Sequence, residues 1–442
     1  MKFFKKTKSL KSACLLMLML LILPLQMLAA ELGEAGKRLA ALPGVSKVEP
    51  LQSTCFPEKY VFFIKQQLDA KNPQAGQFEQ RVVLCHRGFD RPTVLVTEGY
   101  DANYALHEGY IEELSKLFDT NIITVEYRYF DKSMPNPCNW DYLTVENSLY
   151  DLHHVNEALH ALYKGKWMAT GISKGGQTTM FYRSYFPNDV DISVPYVAPL
   201  NRSVEDGRHE KFLQYEVSTP ENRRKVLDFQ LLLFKRKAAL LPMLEKYCND
   251  KHYTFNAPLA EIYDFSVFEY AFAFWQWGSD IQKIPTREAD DLAVFKYWMS
   301  HCEPDYFSNQ NPYFSFDVQA AKELGYYGYY TKPFKRYLSI KTAKGYLHRL
   351  MLPKDAEEVK FSPVLYKYTV DFLSKNDPKM VYIYGSIDPW SASGIYGLPF
   401  TKNKQNLHVY MCPGGSHLTR ILSFPEPTRQ EIIDLIGRWL KE

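Results

Sequence analysis

Ser173 lies in the segment Gly171-Ile172-Ser173-Lys174-Gly175, where a glycine stands two residues away on each side of the serine. A Gly-x-Ser-x-Gly segment can hold a serine hydroxyl at a sharp turn between a strand and a helix, where it acts as a nucleophile. The pattern is short, and it occurs by chance in roughly one in ten to twenty chains of this length. A serine hydroxyl also needs a base, usually a histidine that a carboxylate orients. The rest of the chain therefore has to supply a histidine and an acid.

His417 and Asp388 are the candidates for this base and this acid. His417 follows a strand-like run in VYMCPGGSHL, and Asp388 ends the preceding strand-like run in YIYGSIDPW. The order Ser, Asp, His along the chain is typical of hydrolases built on a mostly parallel sheet. A turn-forming role before Pro389 is the alternative for Asp388. The competing histidines and aspartates lie within a strand, in the helical region or before the preceding strand: His408, His301, His348, Asp371 and Asp377.

The backbone near Ser173 offers donors for an oxyanion. The N–H of Lys174 would open the following helix and face the reacting carbonyl group. A second donor is expected from the loop after an early strand, in TVLVTEGYDAN, as the backbone of Gly99 or Tyr100. A Ser-Lys mechanism is the rival role for Lys174, but the Ser-x-x-Lys spacing is absent. We expect the Lys174 side chain to line the site or to reach solvent.

Two carboxylates lie beside these loops. Glu98 directly precedes Gly99, and Glu126 lies at the tip of the next strand, in VEYRYF. Each is a candidate for binding a cationic group of a substrate. A structural ion pair with Arg128 is the alternative for both, and the sequence leaves this choice open.

Short β-rich runs alternate with helical stretches from residue 56 to residue 200. The runs YVFFIKQQL, QRVVLCHR, PTVLVTEGY, NIITVEYRYF, KWMATGIS and VDISVPYVAP predict strands, and TVENSLYDLHHVNEALHAL and GGQTTMFYRSYF predict helices. The alternation of strands and helices returns after residue 360, where KMVYIYGSIDPW and NLHVYMCPGGSH predict strands and TRQEIIDLIGRWLKE predicts a helix. Strands that alternate with helices imply a mostly parallel sheet with helices on both faces. Together with the Ser-Asp-His order, this pattern predicts an α/β-hydrolase fold.

The segment from residue 202 to residue 360 has a different character. Helical patterns such as ENRRKVLDFQLLLFKRKAALLPMLEKYC and LAEIYDFSVFEYAFAFWQW dominate it, and strand signals nearly vanish. We predict an α/β-hydrolase catalytic domain formed by residues 31–201 and 361–442. A large helical cap domain, residues 202–360, is expected to be inserted between its two parts.

Residues 1–30 have the layout of a secretory signal peptide. Five lysines precede the apolar run CLLMLMLLILPLQMLAA, which ends in the small residues Ala29 and Ala30. A retained membrane anchor is the alternative, against which the short run and Pro24 argue. We expect an exported protein, periplasmic or extracellular, that has no membrane contact after the signal is removed. The 48 basic and 50 acidic side chains that then remain argue against nucleic acid as a partner.

Six cysteines remain after such a cleavage, and an even number favours disulfides in an exported protein. Cys248 and Cys302 lie in the same helical region and are the pairing that we expect. No Cys-x-x-Cys or His-x-x-x-His spacing occurs, and the adjacent His153 and His154 would point to different faces of a helix. We therefore expect neither a metal site nor a cofactor.

Six segments carry a family resemblance: QQLDAKNPQAGQFEQRVVL, PTVLVTEGYDAN, VEYRYF, GISKGGQTTMFYRSYFPNDVD, YGSIDPWSASG and GGSHL. Together, and in this order, they resemble the secreted bacterial prolyl tri- and tetrapeptidyl aminopeptidases, serine peptidase family 37. That family is distantly similar to prolyl carboxypeptidase and dipeptidyl peptidase II. The resemblance implies that Ser173 is the nucleophile, Asp388 the orienting acid and His417 the base. One departure is Tyr127, where relatives often have His within Glu-His-Arg.

The activity that the resemblance implies is that of an exported serine exopeptidase. It would release tri- or tetrapeptides from free peptide N-termini and prefer proline before the cleaved bond. A buried carboxylate (Glu98, Glu126 or an acid of the cap) would pair with the substrate's α-ammonium group. Trp390 and aromatic side chains of the cap would form a slot for the proline ring, with core packing as the alternative for Trp390. A carboxylic-ester hydrolase on the same fold is the alternative activity, and a binding protein that has lost catalysis is a third.

Overall fold

The computed structural model describes residues 31–356 and 358–442. The predicted signal peptide, residues 1–30, lies outside the described residues. In the part of the chain that is described, no helix is both long enough and apolar enough to cross a membrane.

Nine strands form a single sheet in the described chain. They are β1 (Val45–Pro50), β2 (Glu58–Gln67), β3 (Gln77–His86), β4 (Thr93–Thr97), β5 (Asn121–Val125), β6 (Trp167–Ile172), β7 (Ile192–Tyr196), β8 (Met380–Gly385) and β9 (Leu407–Cys412). Their order across the sheet is β1-β2-β3-β5-β4-β6-β7-β8-β9. In this order across the sheet, the first three pairs, β1-β2, β2-β3 and β3-β5, are antiparallel. The remaining pairs, from β5-β4 to β8-β9, are parallel.

The α-helices of the described residues flank this sheet or follow β7. They are α1 (Glu34–Ala40), α2 (Glu113–Phe118), α3 (Val145–Leu159), α4 (Lys174–Tyr185), α5 (Gly207–Lys211), α6 (Pro220–Lys235), α7 (Lys237–Asp250), α8 (Leu259–Gln276), α9 (Asp291–Met299), α10 (Phe314–Gln319), α11 (Val364–Lys375) and α12 (Thr428–Trp439). The predicted helix after Ser173 is α4, which ends before Pro187 as expected.

The central strands of the sheet are buried on both faces. In β4, Leu95 packs into one apolar core, whereas Val94 and Val96 pack into the core on the other side. Every residue of β4, β5 and β7 is buried. Such continuous burial is typical of parallel strands that helices cover on both faces. The predicted α/β-hydrolase fold is therefore confirmed.

Eight of the nine strands coincide with runs that the sequence predicts, and β1 does not. Its sequence VSKVEP has no apolar run, and each of its residues is at least partly exposed. β1 lies at the edge of the sheet and pairs only with β2. Backbone pairing with a neighbour, rather than its own side chains, makes this segment a strand.

Between β7 and β8 the described chain is helical. Helices α5 to α11 lie here, joined by short 3₁₀ and π turns, with one isolated β-bridge between Phe255 and Ser308. Helix α8 is the longest of them and is buried along most of its length. The helical character agrees with the sequence pattern. The division into a catalytic domain and a cap at residues 202–360 stays a prediction.

The expected disulfide between Cys248 and Cys302 is wrong. All six cysteines of the described chain are free, and these two are buried. The Cys302 thiol donates instead to the carbonyl oxygen of Ser266, over 3.1 Å. The two residues share a helical region without a covalent link, because sequence proximity of helices does not fix the separation of their side chains.

Candidate active site

Ser173 lies at a strained turn between β6 and α4. Its backbone angles are φ 59° and ψ −119°, a conformation that a residue with a side chain rarely adopts. Its N–H donates to the carbonyl oxygen of Tyr196 on the neighbouring strand, over 2.9 Å. Such strain costs on the order of 1–3 kcal/mol and persists only where the surroundings impose it. The turn projects the hydroxyl from the carboxyl edge of the sheet, which is the geometry predicted for a nucleophile.

The glycines around Ser173 are needed for close packing. A β-carbon on Gly171 would lie 2.3 Å from the carbonyl oxygen of Gly175. One on Gly176 would lie 2.6 Å from the carbonyl oxygen of Tyr196. Real β-carbons do not approach backbone oxygens this closely, so a larger residue would push α4 away from the sheet. The GISKGG segment therefore has the composition that its turn requires.

His417 and Asp388 form a buried, hydrogen-bonded pair. Nδ1 of His417 lies 2.9 Å from Oδ2 of Asp388. Because an ionised carboxylate only accepts, Nδ1 carries the proton and Nε2 is left as the base. The Asp388 carboxylate also accepts from the N–H of Trp390 (3.1 Å) and from the hydroxyl of Ser391 (2.7 Å). The aspartate is thus fixed in place by its own loop.

The three predicted side chains come together at one edge of the sheet. Ser173 follows β6, Asp388 follows β8 and His417 follows β9, and the carboxyl ends of parallel strands meet at the same edge. Ser173 and His417 line one cleft with a volume of about 1110 Å³. The predicted residues are therefore placed where they can act on the same substrate.

The histidine loop is tied to the helical segment, which the sequence did not indicate. The N–H of His417 donates to the carbonyl oxygen of Gln276, the last residue of α8, over 2.9 Å. The ring of Trp277 stands edge-on to the His417 ring, 6.2 Å away between centroids. The end of α8 therefore fixes the backbone that presents the imidazole.

The side chain of Lys174 is buried and turns toward the loop after β4. Its Nζ donates to the carbonyl oxygen of Gly99 (2.5 Å) and lies 3.3 Å from the centroid of the Tyr127 ring. Burial lowers the pKa of Lys174 well below its usual value. Of the two positions expected for this side chain, exposure to solvent is wrong, since only 2% of the residue is exposed, whereas Lys174 does line the cleft.

The backbone N–H groups predicted for an oxyanion differ in what they bind. The N–H of Gly99 donates to the carboxylate of its neighbour Glu98, over 3.2 Å. In the described chain, the N–H groups of Lys174 and Tyr100 donate to no protein atom, and both residues line the cleft. Of the two alternatives after β4, the geometry thus favours Tyr100 over Gly99.

Glu98 lies in the cleft wall, as predicted for a substrate-binding carboxylate. The hydroxyl of Tyr104 donates to it, and burial raises the pKa of Glu98 to about 7. Its charge is partly balanced by the nearby Lys174.

Glu126 does not contact the cleft, so its predicted role in substrate binding is not supported. Its carboxylate is fully buried and accepts from Arg81, from the Ser133 hydroxyl (2.7 Å) and from the N–H of Ala102 (3.2 Å). The alternative partner Arg128 is also wrong, because Arg128 forms a two-pronged ion pair with Asp151. Strand register decides this: Glu126 follows β5, which lies beside the strand β3 that carries Arg81.

Trp390 packs in the core and also lines the cleft, and its predicted role in binding a proline ring stays a prediction. It is 8% exposed and packs edge-on against Phe272 (5.1 Å) and Tyr327 (5.2 Å) of the helical segment. Trp390 is also among the residues that line the cleft. It therefore contributes to the wall of the cleft that Ser173 lines while it belongs to the core.

Glu269 is a cleft residue that sequence reasoning did not identify beyond an unspecified acid of the cap. It lies on α8, accepts hydroxyl hydrogen bonds from Tyr327 (2.9 Å) and Tyr329 (2.6 Å), and lines the same cleft as Ser173. Burial raises the pKa of Glu269 to about 7. A single acid in the middle of the apolar run FSVFEYAFAFW was the available signal.

Acidic side chains outnumber basic ones along the cleft. The acids are Glu98, Asp101, Glu112, Glu113, Glu269, Glu303 and Asp305, and the lysine and arginine are Lys174 and Arg420. The ammonium group of Lys174 is already engaged by Gly99. Among the described residues no group of three or more His, Cys, Asp or Glu is arranged to hold a metal ion. The cleft thus suits a ligand that carries positive charge.

The chain is similar in sequence to known serine peptidases. The profile of the PS-10 peptidase S37 family matches residues 31–429. The prolyl tri/tetrapeptidyl aminopeptidase of Streptomyces mobaraensis is 28% identical over 421 residues, 91% of this chain and 84% of that protein. A probable serine protease, EDA2, of Arabidopsis thaliana is 28% identical over 145 residues, which are 28% of this chain and 30% of that protein.

Solved structures match this chain at low sequence identity and low TM-score. The proline iminopeptidase of Mycobacterium smegmatis has a TM-score of 0.39 at 13% identity, over 89% of this chain and 99% of that one. The esterase Pf2001 of Pyrococcus furiosus has a TM-score of 0.38 at 12% identity, over 86% of this chain and 92% of that one. The family profile, by contrast, spans most of the chain, including the segments that contain Ser173, Asp388 and His417. The chain belongs to the PS-10 peptidase S37 family and is a serine-type peptidase.

Proposed function

We propose that this protein is an exported exopeptidase that releases tri- or tetrapeptides from free N-termini, with proline before the cleaved bond. The observation that carries the proposal is the constellation in the cleft. A serine at a strained turn and a histidine bonded to a buried aspartate line an acid-rich cleft. The name of the Streptomyces relative supports the same substrate class. Residues 1–30 would direct the chain out of the cytoplasm.

The reaction would proceed through an acyl-enzyme. Nε2 of His417 takes the proton of the Ser173 hydroxyl as its oxygen attacks the scissile carbonyl carbon. Asp388 holds the imidazole in the correct tautomer and stabilises its charged form. The N–H groups of Lys174 and Tyr100 donate to the oxyanion, and His417 then returns the proton to the leaving amine. A water molecule that His417 activates releases the peptide and restores Ser173.

The helical segment would act as the cap over this cleft. Residues 202–360 contribute Glu269, Met299, Tyr306 and Phe316 to the same cleft as Ser173. A cleft walled by two parts of the chain admits a peptide end more readily than a folded chain. Trp390 and the rings packed on it offer a flat apolar surface on which a proline ring can lie.

The test compares substrates that differ only at the N-terminus. We expect Ala-Ala-Pro p-nitroanilide with a free amine to be cleaved at least tenfold faster, in kcat/KM, than its N-succinyl form, because an acid-rich cleft favours the ammonium group. Changing Ser173 to Ala should lower turnover by about 10⁴-fold or more and leave the thermal unfolding midpoint within a few degrees.

Assays with short-chain p-nitrophenyl esters distinguish the alternative activity, carboxylic-ester hydrolysis, from peptide cleavage. Equal cleavage of blocked and free peptides would rule out an aminopeptidase, and turnover of esters alone would favour the ester hydrolase. Activity retained in the Ser173→Ala protein would overturn the assignment of the nucleophile.

A further inference from the structure

Glu269 is a buried carboxylate that has no cationic partner in the described chain. It is 9% exposed, and its oxygens accept only from the hydroxyls of Tyr327 and Tyr329. It forms no ion pair with the described residues, and its pKa is set by burial and by these two hydroxyls alone. A carboxylate is rarely buried without a compensating positive charge. A cationic ligand bound in the cleft would supply the missing charge.

The surroundings of Glu269 fit a compact ammonium group. The ring of Tyr327 stacks on Phe272 at 3.9 Å, and the ring of Tyr329 packs on Tyr346 at 4.6 Å, so the site has aromatic walls. Aromatic faces attract cations, and the two hydroxyls hold the carboxylate in one orientation. A primary ammonium group has three N–H donors that can reach the carboxylate and a neighbouring oxygen.

We propose that Glu269, held by Tyr327 and Tyr329, is the receptor for the free α-ammonium group of the peptide substrate. The inference rests on the proposed exopeptidase function and adds the side chain that recognises the N-terminus. Glu98 and Glu112 also line the cleft, and burial raises the pKa of both. Lys174 already contributes positive charge beside Glu98, and Glu112 already accepts from the N–H groups of Leu114 and Ser115 at the start of α2. Glu269 has no such neighbour.

Helix α8 connects the proposed receptor to the loop that carries the base. Glu269 and Gln276 are seven residues apart on this helix, and the Gln276 carbonyl holds the backbone of His417 at 2.9 Å. Seven residues rise about 10.5 Å along an α-helix. An extended peptide covers about 3.3–3.6 Å per residue, so three residues span about 10 Å. The rise of α8 between the receptor and the histidine loop is close to the length of an extended tripeptide, so we expect a tripeptide to be the preferred product.

The first experiment changes Glu269 to Gln, which keeps the volume and the hydrogen-bonding oxygen. With Ala-Ala-Pro p-nitroanilide we expect kcat/KM to fall about 10- to 100-fold, as for loss of a hydrogen bond to a charged group. Cleavage of the N-succinyl substrate should stay the same, so that the preference for the free amine disappears. Glu261→Gln is the matched control, because Glu261 lies on the same helix, pairs with Arg349 and does not line the cleft.

The outcomes separate this inference from the proposed function. If the Glu269→Gln protein still prefers the free amine as strongly as the unchanged protein, the receptor is elsewhere although the exopeptidase function stands. If the unchanged protein has no preference for the free amine, or cleaves esters alone, both the function and the receptor are overturned. Equal labelling of Ser173 by a fluorophosphonate in both proteins shows that the substitution has left the nucleophile intact.

A second variant, Tyr329→Phe, tests the proposal if the Glu269→Gln protein does not fold. Tyr329→Phe removes one hydroxyl that stabilises the ionised carboxylate, so the pKa of Glu269 rises and less of it is charged at neutral pH. We expect KM for the free-amine substrate to rise several-fold, with no change for the succinyl substrate. Equal effects on both substrates would overturn the proposal.

The length of the released peptide tests the spacing between Glu269 and the histidine loop. Dipeptidyl, tripeptidyl and tetrapeptidyl p-nitroanilides that all end in proline should differ, with kcat/KM for the tripeptidyl substrate at least tenfold above the other two. Equal rates for the three lengths, or a preference for the tetrapeptide, would contradict the spacing set by α8.

Discussion

At the scale of single residues, Lys174 contributes to the candidate site in two ways. Its backbone N–H is one predicted donor to the oxyanion, and its ammonium group holds the carbonyl oxygen of Gly99 at 2.5 Å. The C=O and N–H of a trans peptide point in opposite directions. Fixing the Gly99 carbonyl toward Lys174 therefore turns the N–H of Tyr100 away from the lysine, toward the cleft that Tyr100 lines. The ring of Tyr127 supports the ammonium group from the other side.

Replacing Lys174 with Met should impair catalysis more than substrate binding. We expect kcat to fall about 10- to 100-fold, somewhat less than for complete removal of an oxyanion donor, while KM changes by less than about twofold. Affinity for a peptide aldehyde, which forms an oxyanion on the serine, should fall in parallel with kcat. Steady-state kinetics and inhibition constants measure both effects.

Lys59→Met is the matched control for this substitution. Lys59 is also buried, donates to a backbone carbonyl, that of His107 (2.6 Å), and lies over a tyrosine ring, but it does not line the cleft. Its replacement should leave kcat unchanged. If Lys174→Met changes KM alone and leaves kcat and the affinity for the peptide aldehyde unaltered, the positioning role is contradicted.

At the scale of elements, the end of α8 acts as a support for the histidine loop. Gly278, just beyond α8, has a left-handed backbone with φ 66°, and a β-carbon there would lie 3.0 Å from the β-carbon of Ser416. Ser416 directly precedes His417, whose N–H is bound by Gln276. A side chain at position 278 would therefore press on the loop that carries the imidazole.

Gly278→Ala should lower both stability and kcat. The left-handed backbone costs about 1 kcal/mol of stability with any β-carbon. Gly345→Ala is the matched control, because Gly345 has φ 70° and a β-carbon there would contact nothing within 4 Å. We expect similar shifts of the thermal unfolding midpoint in both variants, with a several-fold loss of kcat only for Gly278→Ala. Equal kcat in the two variants would show that the loop does not depend on α8.

The elements also show what the sequence could predict. The strands that carry Ser173, Asp388 and His417 were predicted because apolar runs, turn residues and chain order act locally or follow the topology of parallel sheets. The contacts of Glu126, Glu269 and Gln276 join segments far apart in the sequence. Their partners depend on strand register and on helix packing, which no local pattern encodes.

At the scale of the whole molecule, several buried carboxylates make stability depend on pH. Burial raises the pKa of Glu98, Glu112, Glu269 and Glu323 to about 7. A carboxylate whose pKa is higher in the folded state binds more protons there, so the folded protein gains stability as the pH falls through 7. Burial of His209 lowers its pKa to about 4, which removes stability as the pH falls below about 6.5.

The carboxylates are the more numerous groups, so thermal unfolding should occur at a higher temperature at pH 6 than at pH 8. Glu323→Gln removes one of these groups while its oxygen still accepts from the N–H of Val145, and should reduce the difference. Differential scanning calorimetry at the two pH values measures this. A higher midpoint at pH 8 would show that ionisation of these carboxylates in the folded protein does not lower its free energy of unfolding.

Mass spectrometry of the acyl-enzyme tests the central claim most directly. The protein is mixed with an activated ester of the free-amine tripeptide Ala-Ala-Pro, quenched in acid within milliseconds and digested. We expect the mass of one tripeptidyl group on the peptide that contains Ser173, and no such adduct after Ser173→Ala. The corresponding N-succinyl ester should form its adduct on the same peptide at least tenfold more slowly. An adduct on another residue, or full turnover with Ser173 replaced, would contradict the account.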